Sequence, residues 1–227
     1  MRINKLLSNL GICSRREANR IIEEGRITVN GALCIPGQWV ELEDEILIDG
    51  EPIKEEKKVY ILLNKPAGVT CTAAKDVEDN IIDFIDYQQY IFPVGRLDKE
   101  SEGLILLTND GELANSILEA DNSHEKEYVV TVDRSFDDKF IEDMSKGVDI
   151  GGVITRECKV ERINEDTFSI ILTQGLNRQI RKMSKACGYS VVKLIRIRIL
   201  NLFIDNLVIG EWRDITEGEL EELRKLL

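Results

Sequence analysis

The chain has 227 residues, of which 43% are hydrophobic, enough for one large domain or for a small domain and a medium one. No run approaches the roughly 18 apolar residues that cross a bilayer, and the amino terminus lacks the apolar segment of a secretory signal, so we expect a cytoplasmic protein with no membrane contact. The single histidine excludes histidine-cluster chemistry, and the five scattered cysteines imply neither a disulfide framework nor a zinc site. The net charge of −12 argues at first against a nucleic-acid partner.

The first 50 residues predict a compact module of two helices and a small sheet. Apolar residues with helical spacing between positions 3 and 10 predict a short first helix. Ser14 and Glu17 form an S-x-x-E capping box, which predicts the start of a second helix. Strands are predicted at 27–34, around an Asn-Gly hairpin turn, and at 45–49.

The charged residues are unevenly distributed along the chain, so the net charge alone does not exclude RNA as a partner. Residues 1–31 hold six Arg or Lys against three acids, and 175–200 hold seven with no acid. Because screening confines each patch to about 10 Å, such local basic surfaces can bind RNA on an acidic protein. Three of these residues lie on or beside the second helix, and we expect them to bind RNA: Arg15, Arg16 and Arg20.

The polar stretch 49–58 is the best candidate for a linker, since it holds Gly, Pro and many charges. An apolar strand is predicted at 59–63 and is expected to break at the sequence Asn64-Lys65-Pro66-Ala67-Gly68. Further strands are predicted at 104–107, 128–132, 168–172 and 191–200, and helices at 81–85, 112–118, 137–146, 177–186 and after Thr216. This order predicts an α+β fold, with a mixed or antiparallel sheet and helices packed on it.

The segment GRLDKESEGLILLTNDG, at 95–111, places Arg96 and Asp98 on a loop before an apolar strand. A carboxylate on a rigid loop beside basic groups is favoured in its charged form and can serve as a nucleophile or electrostatic stabiliser. An ordinary solvated Asp–Arg pair in a turn explains this segment equally well.

The segment TQGLNRQIRKM, at 173–183, runs from a strand through a glycine turn into a helix. Arg178, Arg181 and Lys182 cluster where that helix begins, although cations there oppose the helix dipole. This placement favours phosphate binding or the pairing of a catalytic acid, while a solvated basic helix remains open. The sequence Lys126-Glu127-Tyr128 adds a strand tyrosine that can stack on a base or belong to the core.

The order GRLD…KEY…NRQIRKM, with NKPAG upstream, resembles the pseudouridine synthases of the ribosomal small-subunit and large-subunit family. The resemblance implies that Asp98 is the catalytic carboxylate, that Tyr128 contacts the target base and that Arg181 pairs with Asp98. It also implies a structural role for residues 64–68. The first 50 residues resemble the S4 RNA-binding module that precedes the catalytic domain in this family.

The resemblance implies a small amino-terminal S4-like domain at 1–50, a linker at 51–58 and a pseudouridine synthase domain at 59–227 with a mixed, largely antiparallel sheet. The implied activity is isomerisation of a uridine in ribosomal RNA, most closely that of the subgroup acting at position 2604 of 23S rRNA, with a tRNA anticodon uridine as a second candidate. The uridine must be flipped into a pocket. We expect Arg96, Arg178 and Lys182 to assist RNA binding, and we expect a monomer that needs no cofactor and no metal.

Two other functions remain open. One is a non-catalytic RNA-binding or ribosome-assembly factor built on the S4-like module. The other is a glycosidic-bond hydrolase that uses Asp98 with Glu100 or Glu102, since such enzymes normally need two carboxylates. Tritium release from uracil C5 separates the three, because a synthase frees that hydrogen, a binder frees none and a hydrolase releases uracil.

Overall fold

A computed structural model of the chain describes residues 1–74, 76–119 and 124–227. The amino-terminal part comprises α1 (Ile3–Asn9), α2 (Arg15–Glu23), β1 (Ile27–Val29), β2 (Ala32–Leu33), β3 (Ile46–Ile48) and β4 (Glu51–Pro52). The strands form an antiparallel sheet in the order β2-β1-β3-β4. Asn30 and Gly31 take φ of 50° and 79°, which is the left-handed backbone that a tight hairpin turn requires. Helices and sheet enclose a hydrophobic core of their own.

Two details of this part differ from the sequence predictions. Ser14 caps α2 by accepting a hydrogen bond from the Glu17 amide at 3.0 Å, but the Glu17 side chain turns to Arg20 and does not complete the capping box. The ion pair competes with the reciprocal bond. The first sheet also extends through β4, two residues into the segment predicted as a linker.

The rest of the chain forms an α+β unit around one large sheet. Its elements are β5 (Tyr60–Lys65), α3 (Ile81–Ile85), β6 (Phe92–Pro93), β7 (Glu102–Thr108), α4 (Gly111–Leu118), β8 (Lys126–Val132), α5 (Asp138–Lys146), β9 (Lys159–Arg162), β10 (Thr167–Leu172), α6 (Gln179–Ala186), β11 (Val191–Ile199), β12 (Leu202–Phe203), β13 (Trp212–Asp214) and α7 (Glu217–Lys225). Among the described residues, no helix is long and apolar enough to cross a membrane.

The large sheet is mixed and mostly antiparallel, as predicted. Its order is β13-β5-β7-β11-β8-β10-β9, with β6 paired to β7 and β12 paired to β11. Among the strands of this sheet in the described part of the chain, only β7 and β11 pair in parallel. Three buried clusters pack on this sheet, and the central strands β5 and β7 are almost wholly buried.

Strand β5 continues through Asn64 and Lys65, where the sequence predicted a break. The Asn64 side-chain nitrogen Nδ2 donates to the Leu207 carbonyl at 2.8 Å, whereas its buried Oδ1 has no hydrogen-bond partner among the described residues. Lys65 is fully buried, and its Nζ donates to the carbonyls of Pro66 and Val69 at 2.8 and 2.9 Å. Burial lowers the pKa of this ammonium. Both residues extend the strand because the fold supplies partners that the sequence does not reveal.

The two units touch through α1 and the start of α4. The buried Asn109 donates to the Lys57 carbonyl and accepts from the Val59 amide, each at 3.0 Å. A methyl group added to Gly11 would lie 2.8 Å from the Asn109 side chain, so the backbone of the amino-terminal unit approaches this asparagine closely. The segment between the units is anchored to both of them, because the Glu56 amide also donates to the Leu10 carbonyl at 3.0 Å.

Gly103 is the point of closest approach between β7 and β11. It has a φ of 109°, and a Cβ atom there would lie 2.3 Å from the Arg196 carbonyl oxygen. We expect Gly103→Ala to lower the free energy of unfolding by about 3 kcal/mol, because both the backbone and the neighbouring strand must shift. Urea denaturation measures the change.

The matched control is Gly218→Ala in α7, where an added Cβ meets nothing within 4 Å. There we expect stabilisation by up to about 1 kcal/mol, since glycine loses more conformational freedom in a helix than alanine does. If both variants were equally stable, the close contact between β7 and β11 would be wrong.

Candidate active site

Asp98 lies on the loop between β6 and β7, at the rim of a cleft of about 650 Å³. The loop is held from both sides. The Asp98 carbonyl accepts from the Ser101 amide at 3.0 Å, and the amide of the buried Leu97 donates to the Cys71 sulfur at 3.4 Å. Burial raises the pKa of the Cys71 thiol, so this sulfur acts as a neutral acceptor. The side chain of Asp98 is 27% exposed and therefore open to a ligand.

Two guanidinium groups lie beside the Asp98 carboxylate. Its Oδ2 atom is 3.6 Å from Nε of Arg181 and 3.5 Å from Nη1 of Arg178. Both arginines come from α6 or the residue before it, about 80 positions further along the chain. Two positive charges from a distant part of the sequence therefore lie beside this carboxylate.

Arg181 is the more firmly held of the two. Its side chain is only 15% exposed, and Nη1 and Nη2 donate to the Val191 carbonyl at 3.2 Å and to Ser101 Oγ at 3.3 Å. The buried Nε has no hydrogen-bond partner among the described residues, because Asp98 lies slightly beyond hydrogen-bond range. The Nε atom is thus the part of the guanidinium nearest to the Asp98 carboxylate.

Arg178, which the sequence predicts to bind RNA, lines the cleft and lies beside two acidic side chains. Its Nη1 is 3.1 Å from Glu100 Oε2 as well as 3.5 Å from Asp98. The backbone amide of Glu100 and the guanidinium of Arg178 lower the pKa of Glu100. Arg178 also has a φ of 52°, a left-handed conformation that is uncommon outside glycine and is often found at functional sites.

Tyr128 lines the same cleft as Asp98, on strand β8. The residue is partly buried against two hydrophobic clusters, as expected for a core tyrosine, and it also lines the cleft, as expected for a residue that contacts the base. Arg196 of β11 lies directly across from it. The structure thus brings together the three residues on which the sequence resemblance depends: Asp98, Tyr128 and Arg181.

Two further cations, Lys126 and Arg196, lie on the wall of the cleft and were not predicted as site residues from the sequence. Burial, and then the charge of Arg196, lower the pKa of Lys126. A two-residue period was available as a signal, since Lys126 and Tyr128 alternate on β8 and must face the same side of the sheet.

The remaining predicted RNA-binding residues are exposed and lie in three separate parts of the fold. Arg15, Arg16 and Arg20 are on α2, where Arg20 pairs with two glutamates of its own helix. Arg96 is on the cleft wall, and Lys182 is on α6 outside the cleft lining. Only Arg96 of these five reaches the cleft.

Comparison with known families agrees with this architecture. The family described as RNA pseudouridylate synthase matches residues 59–186, and the S4 domain matches residues 1–46. The chain belongs to the RNA pseudouridylate synthase family. It is therefore an enzyme that isomerises uridine to pseudouridine in RNA, and the predicted order of an S4 domain and a synthase domain is confirmed.

Relatives of this synthase extend over the whole chain. It is 49% identical to the dual-specificity RNA pseudouridine synthase RluF of Escherichia coli strain K12, over 100% of this chain and 79% of that protein. It is 35% identical to the ribosomal large subunit pseudouridine synthase B of Bacillus subtilis, over 99% of this chain and 96% of that one. A crystal structure of a pseudouridylate synthase aligns with a TM-score of 0.73 and 29% identity, covering 98% and 99% of the two chains.

Proposed function

We propose that this synthase acts on ribosomal RNA, with uridine 2604 of 23S rRNA as its target and a tRNA anticodon uridine as a second substrate. A relative that covers the whole chain is named dual-specificity, and another is named for the ribosomal large subunit. The S4 domain and the basic residues of α2 support a structured RNA as the partner. We further propose that the protein is a monomer, with domain limits at 1–50 and 59–227.

The observation that carries the proposed mechanism is the carboxylate of Asp98 between two guanidiniums in an open cleft. Pseudouridylation breaks the bond between N1 and C1′, turns the uracil and joins C5 to C1′, after which C5 loses its proton and N1 gains one. No electrons are exchanged with a partner. An ionised Asp98 can attack the flipped nucleotide or stabilise positive charge that develops on the ribose.

The other residues take supporting roles in this proposal. Arg181 keeps Asp98 charged and oriented through its three-sided contact. Tyr128 stacks on the flipped uracil and lies where it can assist proton removal from C5. Arg96 and Lys182 bind the RNA backbone outside the reacting atoms, while Arg178 divides its charge between Asp98 and Glu100.

Tritium release tests the proposal directly. Ribosomal RNA labelled at uracil C5 is incubated with the enzyme, and pseudouridines are mapped in rRNA and tRNA from cells that lack the gene. We expect stoichiometric tritium release and loss of pseudouridine at position 2604. Unchanged modification at that position would refute the ribosomal target while leaving the reaction type intact.

The basic surface of α2 leads to a separate prediction. We expect the double variant Arg15→Gln, Arg16→Gln to bind the target RNA less tightly and to reduce the salt slope of binding by about 1.5, because each lost phosphate contact removes 0.7–0.9 from the slope. Filter binding at several salt concentrations measures it. The control is Arg26→Gln, whose guanidinium is already paired with Asp49 at 2.6 Å. An unchanged slope in the double variant would assign the α2 surface to another partner.

A further inference from the structure

Lys126 and Arg196 share one wall of the active-site cleft. Lys126 and Tyr128 are two residues apart on β8, and Arg196 lies across from Tyr128 on β11, so all three belong to the same sheet face. Each of them lines the cleft that also holds Asp98. A ligand whose base lies against Tyr128 therefore meets both cations.

The charges on this wall have no carboxylate to balance them in the described part of the chain. Arg196 is 3% exposed, its Nε donates to the Leu104 carbonyl at 2.7 Å, and its buried Nη2 has no partner among the described residues. The side-chain nitrogen Nζ of Lys126 donates, among the residues that the structure describes, only to the His124 carbonyl, at 3.4 Å. Asp98 is already shared by two other arginines, and the exposed Glu119 lines the cleft without an ion pair to either cation.

Two like charges in a buried wall are costly unless an anion joins them. Before the glycosidic bond breaks, a uracil ring offers only neutral carbonyl oxygens as acceptors, whereas the RNA backbone brings a full negative charge on each phosphate. A guanidinium fork beside a compact ammonium also suits phosphate oxygens. We propose that Lys126 and Arg196 bind one phosphodiester that flanks the target uridine and so fix the flipped nucleotide over Asp98. This inference rests on the proposed RNA substrate.

The experiment uses an RNA stem-loop that contains the target uridine, with one neutral methylphosphonate placed either 5′ or 3′ of it. At one of these positions we expect wild-type affinity to fall about tenfold, as for loss of a charge-assisted hydrogen bond. The variant Lys126→Gln should show a similar loss on unmodified RNA and no further loss with the methylphosphonate. The matched control is Lys146→Gln on α5, which removes a lysine paired with Glu142 and should keep the wild-type response.

Additive losses of affinity from Lys126→Gln and from the methylphosphonate, at both the 5′ and the 3′ position, would overturn the phosphate site. So would a Lys126→Gln variant that binds normally but reacts slowly, because the cations would then act on the uracil. Arg196→Lys keeps the buried charge, so its RNA affinity should still fall in part when the methylphosphonate is introduced. Thermal unfolding of each variant shows whether it is folded.

Wild-type tritium release from the same unmodified RNA separates this inference from the proposed function. If tritium is released but the two affinity losses are additive, the phosphate site alone is refuted. If the affinity losses are not additive but no tritium is released, the assigned substrate alone is refuted.

Discussion

Asp98→Asn is expected to reduce isomerisation by roughly 10⁴-fold or more, as loss of a nucleophile or its charge does in other enzymes. Asparagine has the same shape but no charge, so it can neither attack the nucleotide nor stabilise a cation. Because the side chain is part exposed and buries no core contact, we expect stability and RNA affinity to change little. Single-turnover kinetics and filter binding measure the two effects.

Asp79→Asn is the matched control for that variant. It makes the same chemical change in an exposed ion pair with Lys99, at a left-handed backbone position that asparagine tolerates. We expect wild-type turnover from it. If Asp98→Asn retained more than about 1% of wild-type turnover, the proposed mechanism would be wrong.

The second large effect is expected at Arg181. We expect Arg181→Lys to slow the chemical step by about 10²-fold, since a misplacement of about 1 Å can cost that much. One ammonium cannot reach the Val191 carbonyl, Ser101 Oγ and Asp98 together, as the guanidinium does. Single-turnover rates at saturating enzyme, with RNA affinity measured in parallel, isolate the step.

Arg181→Met should be slower than Arg181→Lys, because the carboxylate then keeps only the more exposed Arg178 and loses the buried cation that orients it. RNA affinity should fall only slightly in both variants. Loss of binding with an unaltered single-turnover rate would instead identify Arg181 as a phosphate contact outside the chemistry.

Elements with a strong local pattern could be predicted from the sequence, including the short hairpin of β1 and β2, whereas several other short strands could not. The apolar run of β7 and the capped helix α7 were expected and are observed. Strands β4, β6, β12 and β13 have only two or three residues, and β13 is a strand only because β5 lies beside it. Pairing partners of this kind are tertiary, so local sequence carries no sign of them.

The candidate site shows the same division. Asp98 and Arg181 were found because their motifs resemble a family, and physical reasoning alone left each of them ambiguous. The sequence predicts Arg178 to bind RNA but does not reveal that Glu100 and Asp98 lie within 3.5 Å of it. Lys126 and Arg196 look like ordinary charged strand residues until the pairing of β8 and β11 places them on one wall.

The parallel pairing of β7 with β11 has a consequence for how the enzyme becomes active during synthesis. Asp98 precedes β7, whereas both of its arginines precede β11, so the carboxylate has neither partner until the chain has been made through residue 199 and the two strands have met. Contacts so distant in sequence close late, because the loop between them must first lose its entropy. We therefore expect a nascent chain that ends before β11 to carry an ordinary surface aspartate and to be unable to isomerise uridine, even though its S4 domain is complete.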